Sequence, residues 1–171
     1  SPESTPEEIE KSERLNQENS DKYTQELIDL LGEDKFIIYD TFKKSTGEMW
    51  ELNTFMANMS PEDRISYDVA GDLFFGMSEV RIANEKEMGL EATRNSSDSD
   101  EDKFIREYEV ALETYKKYED VAPNILPPEQ AEIFNTQLGE HRKMFEEQYK
   151  MITLMRKDRI EKEAADDEGP Q

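Results

Sequence analysis

Apolar residues recur at steps of three or four over most of the chain, with polar residues filling the positions between them. This spacing puts the apolar side chains on one face of an α-helix. It predicts four long helices, over 33–59, 60–88, 104–118 and from 128 to about 155. A shorter stretch over 23–31 has the same spacing and ends at Gly32. The pattern is therefore that of helices throughout.

The connections carry their own signals. Thr5-Pro6-Glu7-Glu8 and Ser60-Pro61-Glu62-Asp63 each place a hydroxyl, a proline and acids where a helix begins. The polar stretch over 89–101 lacks apolar spacing and is the chief predicted loop, and proline ends the following helix at 122–124. A kink or short break is expected at 45–47, within the segment predicted as one helix over 33–59.

These elements predict an all-α fold: an elongated antiparallel helical hairpin or bundle of four long helices, preceded by a short N-terminal helix. The length of 171 residues suits one domain. We assign residues 1–22 to a polar N-terminal lead with the start signal of a frayed helix, 23–162 to a single helical domain, and 163–171 to an acidic tail.

Charge narrows the functional classes. The chain has 42 acidic and 21 basic residues, a net charge of -21, and no cysteine. Such a field repels phosphate backbones and anionic lipid surfaces, and the lack of thiols excludes disulfides and thiol catalysis. We expect no nucleic-acid partner, no cofactor and no membrane insertion, because no apolar run approaches the ~20 residues that span a bilayer.

His141 is the only histidine, and its spacing from Leu138 and Phe145 puts it at the edge of an apolar face. Histidine metal sites need several imidazoles, and a di-iron bundle needs glutamate three residues before each histidine, where this chain has Leu138. No serine has the context of a nucleophile. We therefore predict no catalytic residue and no enzyme activity.

Alternating carboxylates at Asp98, Asp100 and Asp102 resemble the start of a calcium loop, and they are the candidate metal ligands. Lys103 occupies the sixth place, where such a loop requires glycine. The favoured interpretation is an acidic loop whose last aspartates suit the positive end of the next helix. A divalent-cation-binding protein or sensor is the alternative function.

Two helix starts have a similar form and lie 67 positions apart: Met59-Ser60-Pro61-Glu62-Asp63 and Leu126-Pro127-Pro128-Glu129-Gln130. They resemble the paired LTxxQ motifs of the CpxP/Spy-like family of periplasmic helical proteins, over roughly residues 30–155. Leu126 and Gln130 match the motif, whereas Met59 and Asp63 replace its leucine and glutamine. The resemblance implies a cradle-shaped helical protein, a periplasmic or otherwise extracytoplasmic location, and dimerisation. The polar lead beginning at Ser1 is also typical of a chain after signal-peptide or anchor removal, or of an engineered truncation.

The apolar residues are too crowded for one stripe at two places. Four neighbours at ~100° per residue cover about 300° of a helix at Phe36, Ile37, Ile38 and Tyr39. Leu73, Phe74 and Phe75 cover about 200°, and Trp50 adds a large aromatic ring.

Unless a helix over 7–31 covers them, these residues face outward and mark a protein-binding surface. We therefore predict a non-enzymatic protein-interaction module, of the envelope-adaptor or chaperone-like kind. It would bind a protein partner or associate with itself, most simply as a homodimer.

Overall fold

The computed structural model describes residues 5–167, and their side chains apart from those of 6–10, 13 and 164–167. It confirms the all-α class, since the described residues form helices and contain no strand. None of these helices is long and apolar enough to cross a bilayer. In chain order they are α1 Pro6–Leu31, α2 Glu33–Lys44, α3 Thr46–Asn58, α4 Tyr67–Glu87, α5 Leu90–Arg94, α6 Asp100–Tyr118, α7 Ala122–Ile125 and α8 Pro128–Asp167.

The helices fall into two compact units, residues 1–46 and residues 47–171. The first unit contains α1 and α2, and the second contains α3, apart from its first residue, and α4 to α8. The boundary lies inside the domain predicted over 23–162. Residues 1–4 of the predicted lead and 168–171 of the predicted tail lie outside the described residues.

Helix extends further at both ends of the chain than apolar spacing indicates. α1 begins at Pro6, and Gln17 and Gln25 each donate to an aspartate four residues later, at 2.8 and 2.9 Å. α8 continues to Asp167, with i,i+4 ion pairs such as Lys157 to Glu161 at 3.7 Å. Such pairs support helix without burial of an apolar face, which explains why the periodicity of apolar residues missed these segments.

The single helix predicted over 33–59 is wrong, because two helices form there, separated by a short break at Ser45, inside the predicted 45–47. Ser45 leaves the helical conformation, with φ of -111° and ψ of 45°, and its N–H donates to Phe42 O at 3.3 Å. Serine and glycine are poor helix formers, and the sequence Ser45-Thr46-Gly47 provides both. Gly32 separates α2 from α1 by adopting a positive φ of 79°, which glycine tolerates best.

The predicted helix start at Ser60 is also wrong. The Ser60 hydroxyl donates to the Asp63 carboxylate at 2.6 Å, and the Asp63 N–H donates to Ser60 O at 3.1 Å. These two bonds close a turn on themselves instead of capping a helix. Helix α4 begins at Tyr67, where the Ser66 hydroxyl accepts from the N–H of Val69 at 3.3 Å.

The second predicted start is confirmed, since α8 begins at Pro128. Pro123 does not simply stop a helix, because it lies within the short helix α7, whose C-cap is the buried Leu126. The predicted loop over 89–101 contains the five-residue α5, which Gly89 precedes with a φ of +67°. The serine at 99 then caps α6 by accepting from the N–H of Asp102 at 3.1 Å.

One hydrophobic core lies in the second unit, built from α3, α4, α6, α7 and α8. Phe55 and Phe134 meet edge to face at its centre, with ring centroids 4.9 Å apart. Phe74 belongs to this core and is 1% exposed, so its predicted outward position is wrong. Because α4 packs against both α6 and α7, a wide apolar arc of α4 is covered. Phe75 is half-buried against the same core.

Gly76 allows α4 to approach α7 closely. A Cβ atom at this position would lie 2.9 Å from Val121 Cγ1, closer than side chains tolerate. We expect Gly76→Ala to be about 1–3 kcal/mol less stable than Gly139→Ala, which introduces the same group in the open interior of α8. Both substitutions gain about 1 kcal/mol of helix propensity. The difference between the two free energies of unfolding therefore reports the steric overlap of the new methyl group with Val121.

Urea unfolding followed by fluorescence of Trp50, the only tryptophan, reports on the second unit and measures this difference. Equal stabilities of the two variants would contradict the close approach.

Candidate functional site

An apolar surface on α2 is the first candidate site. We call it the α2 surface and define it by four side chains that are 57%, 49%, 39% and 46% exposed: Ile37, Ile38, Tyr39 and Phe42. No residue of α2 is buried. Phe36, which the sequence placed with this group, is half-buried and lies 6.4 Å from the Tyr39 ring, centroid to centroid. The structure thus exposes three of the four crowded residues and adds Phe42.

Trp50 is 50% exposed, yet it has a specific neighbour. Its ring lies 4.5 Å from the ring of His141, centroid to centroid, at 40° between planes. His141 itself is an edge residue, with 19% of its side chain exposed. Trp50 thus packs on the histidine that contacts the buried carboxylate of Glu51.

Glu48 and Glu51 are the central members of that group, which we call the carboxylate cluster. They are 2% and 0% exposed, although both are acids and α3 also has a face exposed to solvent. Together with Leu52 and Phe55 they follow the i, i+3, i+4, i+7 spacing of one helix face. The buried stripe of α3 thus begins with two carboxylates and ends with two apolar side chains.

Glu48 is paired with a cation and a phenol. Its Oε1 accepts from Arg81 Nε at 2.5 Å and from the Tyr118 hydroxyl at 2.8 Å. Arg81 also donates to Glu85 at 3.0 Å. Burial acts to lower the pKa of Arg81, but the hydrogen bond and charge of Glu48 outweigh it, so the pKa is raised. A fully charged guanidinium therefore faces Glu48.

Glu51 receives donors from α6 and α8. The Tyr115 hydroxyl donates to Oε1 at 2.7 Å, and Gln137 Nε2 donates to Oε2 and to the Glu51 carbonyl, both at 2.9 Å. His141 Nδ1 lies 2.9 and 2.8 Å from the two carboxylate oxygens. Burial and the Glu51 hydrogen bond raise the pKa of Tyr115, so its proton stays on the phenol.

The hydrogen bonds of the carboxylate cluster connect α3 to its neighbouring helices. Glu48 joins α3 to α4 and α6 through Oε1, and Glu51 joins α3 to α6 and α8 through both of its carboxylate oxygens. Buried carboxylates held in this way fix which helix faces meet, because a shifted packing would leave them without donors. The carboxylate cluster therefore fixes how α3 packs against α4, α6 and α8.

Glu48, Glu51, Arg81 and Gln137 were not among the site residues predicted from the sequence. A signal existed, because Glu48 and Glu51 fall in register with the apolar stripe that Leu52 and Phe55 continue. Acids in register with a stripe indicate buried carboxylates that need partners. The partners themselves lie 33 to 90 residues away and have no local signal.

The acidic loop is organised around helix α6. Asp98 accepts from the Ser96 hydroxyl at 2.7 Å, Asp100 lies in the first turn of α6, and Asp102 pairs with Arg156. Hydrogen bonding to Ser99 and the charge of Arg156 lower the pKa of Asp102. Among the side chains that the structure describes, no three His, Asp or Glu residues form a group able to hold a metal ion.

Comparison of the chain with protein families, curated proteins and solved structures finds no match. The resemblance to LTxxQ motifs therefore stays an expectation. The structure does bring the two motif segments together, since Gln130 Nε2 donates to Asp63 O at 2.9 Å. Met59 packs against the core, whereas Pro61 and Pro128 are exposed.

Proposed function

We propose that this chain is a non-enzymatic protein-interaction module that binds another protein through the α2 surface. The observation that carries the proposal is a helix with no buried residue and four large apolar side chains exposed. Covering such side chains is favourable by about 25 cal/mol for each Å² of apolar area removed from water. Exposed apolar groups this close together are typical of contact sites.

The proposal includes the elongated antiparallel array of long helices predicted from the sequence, since such an array offers helix faces to a partner. The extracytoplasmic location and the adaptor or chaperone-like role come from the resemblance of the helix starts. The paired state of the carboxylate cluster supports a non-enzymatic role, because its acids are held by protein donors. A homodimer would bring together two chains of charge -21, which favours a different protein as the partner.

A photo-crosslinking experiment tests the proposal. The full chain carries benzoylphenylalanine in place of Ile38, or in place of Lys44 at the end of the same helix as a matched control. The Lys44 side chain is 66% exposed. After irradiation in the native host, we expect a protein adduct from position 38 and little from position 44, because only the apolar site lies under a partner.

An adduct of twice the chain mass at position 38 would identify a homodimer. Equal adduct yields at the two positions, or no adduct at position 38, would contradict binding through the α2 surface.

A further inference from the structure

One face of α8 extends beyond its contact with α3. Near its start this face carries Gln137 and His141, which contact Glu51 of α3. Steps of three and four residues keep one face of a helix. The same face then continues through Met144, Gln148, Met151 and Met155. The three methionines are 46%, 56% and 67% exposed, so this face is covered near its start and leaves its methionines open further along. Gln148, between them, is half-buried and accepts from the Tyr108 hydroxyl of α6 at 3.0 Å.

The open part borders a groove between α6 and α8. The groove has a volume of about 470 Å³, an apolar floor and an acidic rim formed by Asp100 and Glu101. Its floor consists of Phe104, Ile152 and Met155. Phe104 is 46% exposed and stacks edge to face on Tyr108 at 5.0 Å. We call this floor, together with Met144 and Met151, the methionine groove.

The shape and chemistry of the methionine groove suit a helix. From Met144 to Met155 the face runs 11 residues, or about 16 Å at 1.5 Å per residue, which matches three turns of a helix. The 13-residue α3 already lies on the first part of the same face, so the face accepts a helix there. Methionine side chains are flexible and polarizable, and they adapt to the apolar face of a partner helix.

Charge decides between possible helices. The spacing of ~100° per residue places three exposed acids, Glu140, Glu147 and Asp158, directly beside the methionine face. Lys143 and Lys150 lie further round the helix on the same side, and Lys162 follows beyond Met155. Arg156 and Arg159, which lie near the opposite rim, are held by Glu101 and Asp102. With a net charge of -21, the chain attracts a basic helix and repels a second copy of itself.

We propose that the methionine groove binds a basic amphipathic helix of a partner protein. Apolar side chains at i, i+3, i+4 and i+7 of that helix lie on Phe104, Met151 and Met155, and its lysines or arginines face the flanking acids. The inference rests on the proposed function as an interaction module, and it adds the class of partner and a second contact surface.

The test uses the full chain and three synthetic helical peptides of about 18 residues, or five turns. The first has leucines at i, i+3, i+4 and i+7 and lysines elsewhere, the second has glutamate for lysine, and the third is the first with its order scrambled. Fluorescence anisotropy at about 0.15 M salt gives the dissociation constants. Methyl spectra of ¹³C-methionine protein report contacts at Met144, Met151 and Met155, with the buried Met77 as an internal reference.

We expect the basic amphipathic peptide to bind at least about tenfold more tightly than either control peptide. Combining Met151→Glu with Met155→Glu should weaken it by at least about tenfold, although the added acids attract lysine. Ile160→Glu is the matched control, since Ile160 is 51% exposed on another face of α8, and it should leave affinity unchanged. The three exposed methionine methyl signals should shift on binding while that of Met77 stays.

Equal affinity for the basic and acidic peptides, or equal weakening by Ile160→Glu, would overturn the inference. So would a concentration-dependent dimer that the paired methionine changes abolish, because the occupant would then be a second copy. If all peptides fail while position 38 still crosslinks to a protein, this inference falls and the proposed function stands. Peptide binding without an adduct at position 38 would instead contradict binding through the α2 surface and support this inference.

Discussion

Replacing Glu48 with alanine is expected to lower the free energy of unfolding of the second unit by about 3–5 kcal/mol, because it leaves a buried positive charge undercompensated. Arg81 has 19% of its side chain exposed and donates to Glu48 through Nε. The substitution also removes the carboxylate that accepts the hydrogen bond of the Tyr118 hydroxyl, and Tyr118 is only 4% exposed. Glu48→Gln keeps an oxygen acceptor and should lose less, since an amide can still accept one hydrogen bond.

An exposed ion pair provides the matched control. Glu107 pairs with Arg94 at 3.0 Å with about half of each side chain in water, so Glu107→Ala should cost less than about 1 kcal/mol. Urea unfolding followed by Trp50 fluorescence compares the variants. Similar losses for Glu48→Ala and Glu107→Ala would show that burial of the carboxylate cluster contributes little.

Above pH ~10 the protein is expected to lose stability by about 1.4 kcal/mol per pH unit for each of two tyrosines. Burial and then the Glu51 hydrogen bond raise the pKa of Tyr115, while burial and then the charge of Glu48 raise that of Tyr118. In the unfolded chain both phenols ionise near pH ~10. The stabilisation is therefore complete below that pH and is lost as the pH rises above it, because only the unfolded state releases the protons.

Urea midpoints measured by circular dichroism from pH 8 to pH 11 test this slope. Joint replacement of Tyr115 and Tyr118 by phenylalanine should flatten the slope, whereas Tyr67→Phe should not, since Tyr67 is 90% exposed. Tyrosinate absorbance offers a second measurement on the seven tyrosines. If all seven ionised at the ordinary pKa while the helical signal stayed native, the burial and hydrogen bonding of Tyr115 and Tyr118 would be contradicted.

The helices themselves were largely predictable, and particular residues explain the misses. Pro128 starts a helix as expected, because proline and the acid after it act within one turn. Ser60 carries the same signal but does not start a helix, because its hydroxyl bonds to the Asp63 side chain. The helix begins only after Ser66, which is its N-cap. Local chemistry permits both outcomes, and packing selects between them.

The crowded apolar segments divide in the same way. Crowding at 36–39 and at 73–75 looks alike in sequence, yet Ile37 is 57% exposed and Phe74 is 1% exposed. The difference arises because α4 packs against both α6 and α7, which its own sequence does not record. Crowding therefore indicates surplus apolar area, and the neighbours decide whether it is buried.

The sequence by itself determined the all-α class, the charge of -21 and the apolar faces of the helices, because periodicity and composition act over a few residues. Only the tertiary structure decided that Glu48 and Glu51 are buried against Arg81 and His141. Those contacts join residues 33 and 90 positions apart. A buried carboxylate is stable only beside its donors, and the folded chain alone brings those donors to it.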